Sequence, residues 1–248
     1  HFAEVLMQRA EEVIDLIVRE GGKTRLEALG MEVVLVADLV RYFAKHAPAM
    51  LGAHPVPLHL MKHRASYLHY VPRGVVGIIA PWNFPFSIPL GEAMMALIAG
   101  NGVVLKPSEW SPVSGGLVWG EIFAEAGLPD GVLNVVTHAP GKAGAIGDEL
   151  VSHPAVRRIN FTGSTNVGRL LAEAAGRHLK RVVLELGGYN PVIVLADADV
   201  DYAVNATAFG AFLHQGQICM SARKVFVERS ISDEFIEKLS AKANGLKA

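Results

Sequence analysis

Val75-Val76-Gly77-Ile78-Ile79-Ala80-Pro81-Trp82-Asn83-Phe84-Pro85 is the stretch that decides the fold. An apolar run ends abruptly in a turn bracketed by two prolines and carrying two large aromatics. A short Val/Ile-rich run that stops at proline reads as a strand buried on both faces. The pattern returns at residues 102–106, 132–136, 158–162 and 181–185, each run leading into polar turn residues. Helical spacing fills the gaps, at residues 88–98, 114–126, 141–151 and 166–178. This alternation predicts an α/β fold, an open parallel sheet with helices on both faces. Ligands of such sheets sit at the carboxyl ends of the strands, where the polar motifs of this chain cluster.

Upstream, apolar residues recur at helical spacing over residues 2–20, closed by Gly21-Gly22. A second helix is expected over 25–43, ending before Pro48, then an extended Pro/His-rich stretch to His69. Downstream, a boundary near Gly187-Gly188 separates residues 1–186 from 187–248. The second part offers strands at 192–195 and 224–227, a helix from about Tyr202 and another over 233–243. Two strands are too few for an independent core, so this part reads as the start of a second α/β domain.

The 248 residues are 51% hydrophobic and 19% charged, and 23 basic against 24 acidic residues leave a net charge of −1. That balance points away from nucleic acid and from anionic membranes. Mean hydropathy is +0.31, which implies deep burial or apolar surface meant for a partner. The longest apolar region, 75–105, is broken by Pro81, Pro85, Pro89 and Glu92, so no membrane span is expected. A single cysteine, Cys219, and no signal peptide suggest the reducing cytoplasm. The chain opens on His1 rather than Met, as a fragment or processed product would.

Some motifs fail on inspection. Gly22-Lys23-Thr24 resembles the end of a phosphate-binding loop, but Ile17 stands where its first glycine belongs, and it follows a helix. No GxGxxG is present. His54, His59, His63 and His69 crowd one stretch, without HExxH or a supporting cysteine, so solvated or hydrogen-bonded histidines are expected and no metal site.

Other motifs stay open between two readings. Gly163 and Ser164 join a strand to a helix, either cradling a phosphate or capping the helix. Lys106 and Glu109, three apart at a strand end, suit the hydroxyls of a ribose or form a surface ion pair. Asn83, rigidified by Pro81 and Pro85, could aim its amide at a developing oxyanion or satisfy its own turn. Glu185 beside Gly187-Gly188 could activate water, helped by partly apolar surroundings that raise its pKa. Cys219 is a nucleophile or inert packing.

Taken in order, PWNFP (81–85), KPSE (106–109), FTGSTNVG (161–168), ELGG (185–188) and GQICM (216–220) resemble the aldehyde dehydrogenase superfamily, over about residues 9–233. The resemblance implies a Rossmann-like sheet and NAD-dependent oxidation of an aldehyde to an acid. In the implied mechanism Cys219 attacks the carbonyl, while Asn83 and the Cys219 N–H hold the oxyanion. Collapse delivers hydride to nicotinamide and leaves a thioester, which Glu185-activated water hydrolyses. The implied cofactor contacts are Lys106 and Glu109 at the adenosine ribose, Ser164 at the pyrophosphate with Gly163 and Val167 beside it, and Trp82 in the Asn83 turn. Gly147 is expected to start a helix on the adenine side, and Lys106 also counts with the catalytic set. Glu109 favours NAD, although some relatives with Glu there tolerate NADP.

Phe84, Ser87, Ile88 and Gly91 are expected along the aldehyde tunnel, with Ile218 and Met220 flanking the thiol. Gly91 stands where many relatives carry a bulky aromatic. The set suggests an apolar, aromatic aldehyde of the benzaldehyde or vanillin type. Family members continue well beyond Ala248, so an incomplete catalytic domain is expected. Residues 51–70 match part of an oligomerisation arm, which implies a homo-dimer or homo-tetramer. The rivals are a dinucleotide-binding fragment without turnover and a cofactor-free cysteine esterase. An enzyme that acylates coenzyme A fits less well, because such enzymes typically lack the Glu185 carboxylate.

Overall fold

The structure, a computed structural model, describes residues 1–246. The chain divides into two compact units, residues 1–185 and 186–248.

The first unit opens with helices α1 (Phe2–Gln8), α2 (Ala10–Gly21), α3 (Arg25–Ala28) and α4 (Leu35–Leu51), a π-helical segment Leu29–Val34 joining the last two. The single helix expected over 2–20 is broken at Arg9, whose guanidinium turns to Glu121 at 2.6 Å and Glu125 at 3.5 Å. Gly22 closes α2 with φ +66, the left-handed cap that glycine adopts without steric cost. Thr24 then opens α3 through a capping box with Glu27. The helix expected to stop before Pro48 runs through it to Leu51. Proline near a helix end forfeits one intrahelical bond. The closing turn gains another, because His54 Nε2 lies 3.0 Å from the Met50 carbonyl. The next stretch holds one short antiparallel pair, β1 (His54–Pro55) with β2 (Tyr67–Leu68).

The sheet follows: β3 (Val75–Ile79), α5 (Ser87–Ile98), β4 (Gly102–Lys106), a second π segment (Val113–Leu117), α6 (Val118–Glu125), β5 (Leu133–Val135), α7 (Ala143–Ser152), β6 (Val156–Thr162), α8 (Thr165–Arg177) and β7 (Arg181–Glu185). All neighbours are parallel, in the order β5-β4-β3-β6-β7. The order changes direction beside β3, which places a topological switch point at the Asn83 turn. The core joins Val76, Ile78, Val103 and Leu105 to Leu90, Trp119 and Ile122, and to Leu6, Ile14, Ile17 and Val36 of the N-terminal helices.

Those N-terminal helices also cap segments far ahead of them. Glu20 accepts from Val113 N at 3.0 Å and Ser114 N at 2.7 Å. Glu32 accepts from Phe86 N at 3.0 Å and Ser87 N at 2.8 Å. Each carboxylate satisfies donors that a helix start leaves orphaned and sits at the positive end of its dipole.

The second unit comprises β8 (Pro191–Val194), α9 (Val200–Phe212), β9 (Lys224–Val227) and α10 (Ser232–Asn244). Its two strands pair in parallel, and Val194, Val204 and Phe235 form its small buried core. Among the described residues no helix is long and apolar enough to cross a membrane.

Candidate active site

The Asn83 turn begins where β3 stops. Ala80 N donates to Lys106 O at 3.0 Å, tying the exit of β3 to the end of β4. Asn83 Oδ1 accepts from Phe84 N at 3.1 Å. Because a backbone N–H needs an acceptor, this bond identifies the oxygen and sends the NH₂ to the opposite edge of the amide. Trp82 is 40% exposed, while Phe84 and Ser87 are buried. Beneath the turn, Lys23 Nζ lies 3.8 Å from the Phe84 ring centroid and 2.5 Å from Glu32 Oε1. Lys23 is 1% exposed and Glu32 0%. Burial lowers the Lys23 pKa, and the Glu32 charge opposes that shift.

Lys106 and Glu109 do not form the simple surface ion pair that spacing allowed. Lys106 is buried and donates to Pro107 O at 3.1 Å and to His138 Nε2 at 2.8 Å. His138 Nδ1 lies 2.9 Å from Ala139 O, so Nδ1 carries the proton and Nε2 accepts from the lysine. His138 stands between Lys106 and Glu109, whose Oε2 is 3.8 Å away. Burial lowers the Lys106 pKa, and Glu109 pulls it back up.

After β6, Gly163 N donates to Glu185 O at 3.0 Å. A Cβ at Gly163 would lie 2.5 Å from the Phe161 ring, so only glycine fits where backbone crosses that ring. Ser164 caps α8, its Oγ accepting from Val167 N at 3.4 Å. Capping and phosphate binding are compatible, because one cap leaves other first-turn N–H groups of this 13-residue helix without intrahelical partners. Gly147 does not start a helix as expected. Gly141, with φ +76, supplies the break, and α7 begins at Ala143, leaving Gly147 in mid-helix with nothing within 4 Å of an added Cβ.

Glu185 ends β7 in register with Thr162. Registered neighbours in a parallel sheet point to the same face. On that face Thr162 Oγ1 donates to Glu92 Oε1 of α5 at 3.3 Å. Glu185 itself is exposed, not set among apolar groups as expected. Glu92 has that character instead: its Oε2 is shut off from solvent, and its pKa is pushed up to about 7 by burial, with Glu185 adding to the rise and Thr162 and Arg158 opposing it.

In the second unit, Cys219 is exposed. It follows a turn in which His214 (φ +47), Gln215 (φ +52) and Gly216 (φ +73) are all left-handed. For a residue with a Cβ this costs about 1–2 kcal/mol. Asn190 Nδ2 donates to Cys219 O at 2.6 Å and to Ser221 O at 3.0 Å, which fixes the peptide after the thiol. Ile218 is buried and Met220 is 72% exposed.

The whole chain, residues 1–248, matches the model of the aldehyde dehydrogenase family. The chain belongs to that family. A benzaldehyde dehydrogenase of Bacillus subtilis (strain 168) is 46% identical over 240 residues, covering 97% of this chain and 48% of that protein. The structure of an NAD-dependent benzaldehyde dehydrogenase from Corynebacterium glutamicum matches with TM-score 0.88 and 41% identity, covering 98% of this chain and 52% of that one. A salicylaldehyde dehydrogenase from Pseudomonas putida, complexed with salicylaldehyde, matches with TM-score 0.92 and 39% identity, covering 100% of this chain and 50% of that one. The chain spans about half the length of the relatives it matches.

In this aldehyde dehydrogenase chain, the first unit brings Lys106 and Glu109 together through His138, and Glu185 beside Thr162. Gly91 is buried, and a Cβ there would meet Leu39 Cδ2 at 3.4 Å, so α4 bounds the room that glycine leaves. Ile88 stands partly buried in the first turn of the same helix. Sequence reasoning missed His138, Glu92, Leu39, Lys23 and Glu32. Lys23 and Glu92 are visible in the sequence only as part of a Gly-Lys-Thr string and as a break in an apolar run. Among the described residues no group of three or more His, Cys, Asp or Glu could hold a metal ion.

Proposed function

We propose that the complete protein oxidises an aromatic aldehyde to its carboxylic acid with NAD, and with NADP less well. The observation that carries this reading is the placement of four motifs at the carboxyl ends of adjacent parallel strands: Asn83 after β3, Lys106 at β4, Gly163-Ser164 after β6 and Glu185 at β7.

The residues present fit a dinucleotide. Gly163 admits close backbone, and the start of α8 offers N–H groups for a pyrophosphate. Lys106 and Glu109 face a ribose with one donor and one acceptor, the carboxylate disfavouring a 2′-phosphate. Trp82 and Val167 are both exposed, as cofactor contacts require, and the open side of Gly147 suits a flat base. When bound, the dinucleotide supplies the acceptor for the hydrogen removed from the substrate.

The chain's own groups do the remaining chemistry. Cys219 Sγ forms a bond to the carbonyl carbon, and the oxygen gathers negative charge. Asn83 Nδ2 and the Cys219 N–H donate to that oxygen, each worth roughly 3–4 kcal/mol in such sites. After oxidation the acyl group remains on sulfur. Glu185 then takes a proton from water, the hydroxyl oxygen bonds to the acyl carbon, and the C–S bond breaks to release acid and thiolate. Phe84, Ser87, Ile88 and Gly91 suit an apolar substrate, with Leu39 limiting the room beside Gly91, and Ile218 and Met220 flank the thiol in sequence. Residues 187–248 contribute to the catalytic domain. The exposed side chains of Leu60, Tyr67, Tyr70 and Val71 in and beside the 51–70 arm pack against a second copy in a cytoplasmic homo-oligomer.

The test is an aldehyde panel with NAD and NADP, run on this chain and on the complete product of its gene. NADH formation with benzaldehyde-type substrates is expected from the complete product. Ester hydrolysis indifferent to NAD, without NADH formation, would instead establish the cofactor-free hydrolase.

A further inference from the structure

Gly22-Lys23-Thr24 lacks the first glycine of a phosphate-binding loop, yet Lys23 is among the most completely buried residues of the first unit. An ammonium placed there must be desolvated, and so must Glu32. An apolar pair of similar volume would fill the same space without that cost, so packing alone does not call for charges. Their contacts show where they act. Lys23 Nζ lies under the Phe84 ring at 3.8 Å. Glu32 Oε2 receives Phe86 N and Ser87 N, the opening donors of α5, which has no side-chain cap of its own. Ala80 N is already fixed to Lys106 O on the other side. Asn83 is thus carried on a span pinned at both ends, and its far anchor is this ion pair.

We infer that Lys23 and Glu32 are positioning residues for the Asn83 amide, setting its distance to the developing oxyanion through Phe84, Phe86 and Ser87. The inference rests on the oxyanion role proposed for Asn83. Neither residue touches substrate or cofactor. A misplacement of about 1 Å at a reacting centre costs on the order of a hundredfold in rate.

The decisive variant is Lys23→Met/Glu32→Gln in the complete product of the gene. It removes both charges together and keeps an amide oxygen to accept from Phe86 and Ser87. Turnover, KM, NAD affinity and thermal midpoint are measured with and without Asn83→Ala. The expected result is a roughly tenfold to hundredfold fall in kcat per folded enzyme, with KM and NAD affinity unchanged. In the Asn83→Ala background the same pair of substitutions should change kcat less than about twofold, because the group they position is gone. An unchanged kcat, or a loss of equal size in both backgrounds, overturns the inference while leaving the oxyanion reading intact. If Asn83→Ala alone leaves kcat unchanged, the oxyanion reading fails and the inference falls with it. Should the double variant not fold, Lys23→Gln alone, which keeps both a donor toward Glu32 and the Glu32 cap, is judged by the same two criteria.

Discussion

The Asn83 turn and the Cys219 loop are built on opposite principles. The turn is held from afar: Phe86 and Ser87 bond to a carboxylate 54 and 55 residues earlier, and both charges of the supporting pair are buried. The loop is held mostly by itself. Gln217 N bonds to His214 O at 3.0 Å, Ser221 Oγ to Gly216 O at 3.0 Å and Arg223 Nη2 to Gly216 O at 3.2 Å. Asn190 reaches it from a distance, across 29 residues. The turn also has no left-handed residue, whereas the loop has three in succession. A group that stabilises charge works by being immobile before the charge appears. A nucleophile must approach, bond and later leave, and a strained, self-bonded loop suits that duty.

The contrast can be broken in four places. Cys219→Ala removes the bond-forming atom and should abolish aldehyde oxidation by roughly a thousandfold or more, read as NADH production in the complete gene product. Substantial NADH from that variant would end the proposed mechanism. Asn83→Ala removes one donor from the rigid side and should lower kcat by about 10²–10³-fold with NAD affinity intact. Equal loss of NAD binding would mean that the turn serves the cofactor instead.

The third test concerns α5, which follows the turn. Glu92 has a folded pKa of about 7 against an ordinary 4.5. A raised carboxyl pKa adds stability below the ordinary value, and that contribution is lost as pH rises through the folded value. Denaturant unfolding should therefore show stability falling by about 2 kcal/mol between pH 4.5 and 7, at about 1.4 kcal/mol per pH step discounted for partial solvent access. Glu92→Gln should flatten that fall, and an unaltered slope would show that another group is responsible. The smallest effect belongs to the loop: Asn190→Ala loses two bonds and should cost about 1–2 kcal/mol of stability. It should also speed alkylation of Cys219 by iodoacetamide. Unchanged alkylation would show that the loop needs no outside support.

What could be read from sequence follows the same division. Strands at residues 102–106, 181–185 and 224–227 were legible to the residue, because buried Val/Ile runs between turns are a local signal. Helix ends were less so. The break at Arg9 answers to Glu121 and Glu125 on a distant helix, and passage through Pro48 depends on the bonding of the last turn. The motif residues could be found because each sits in a short string of glycine, proline and polar residues. Their supports could not. Lys23 and Glu32 act on residues 84–87 across more than fifty positions, and His138 acts on Lys106 across 32. No local pattern encodes such partners, and the lysine of the Gly-Lys-Thr string is one of them.

Glu32 also bears on how the chain is made. At roughly 5–20 residues per second, a ribosome delivers this carboxylate several seconds before Phe86 and Ser87 emerge. The first turn of α5 therefore meets its acceptor as it leaves the exit tunnel, and the growing chain need not expose bare helix donors while the sheet is still being synthesised. In a circular permutant that moves the first four helices to the end, the acceptor would come last. Refolding yield during translation, compared between the two chain orders, would measure how much that timing matters.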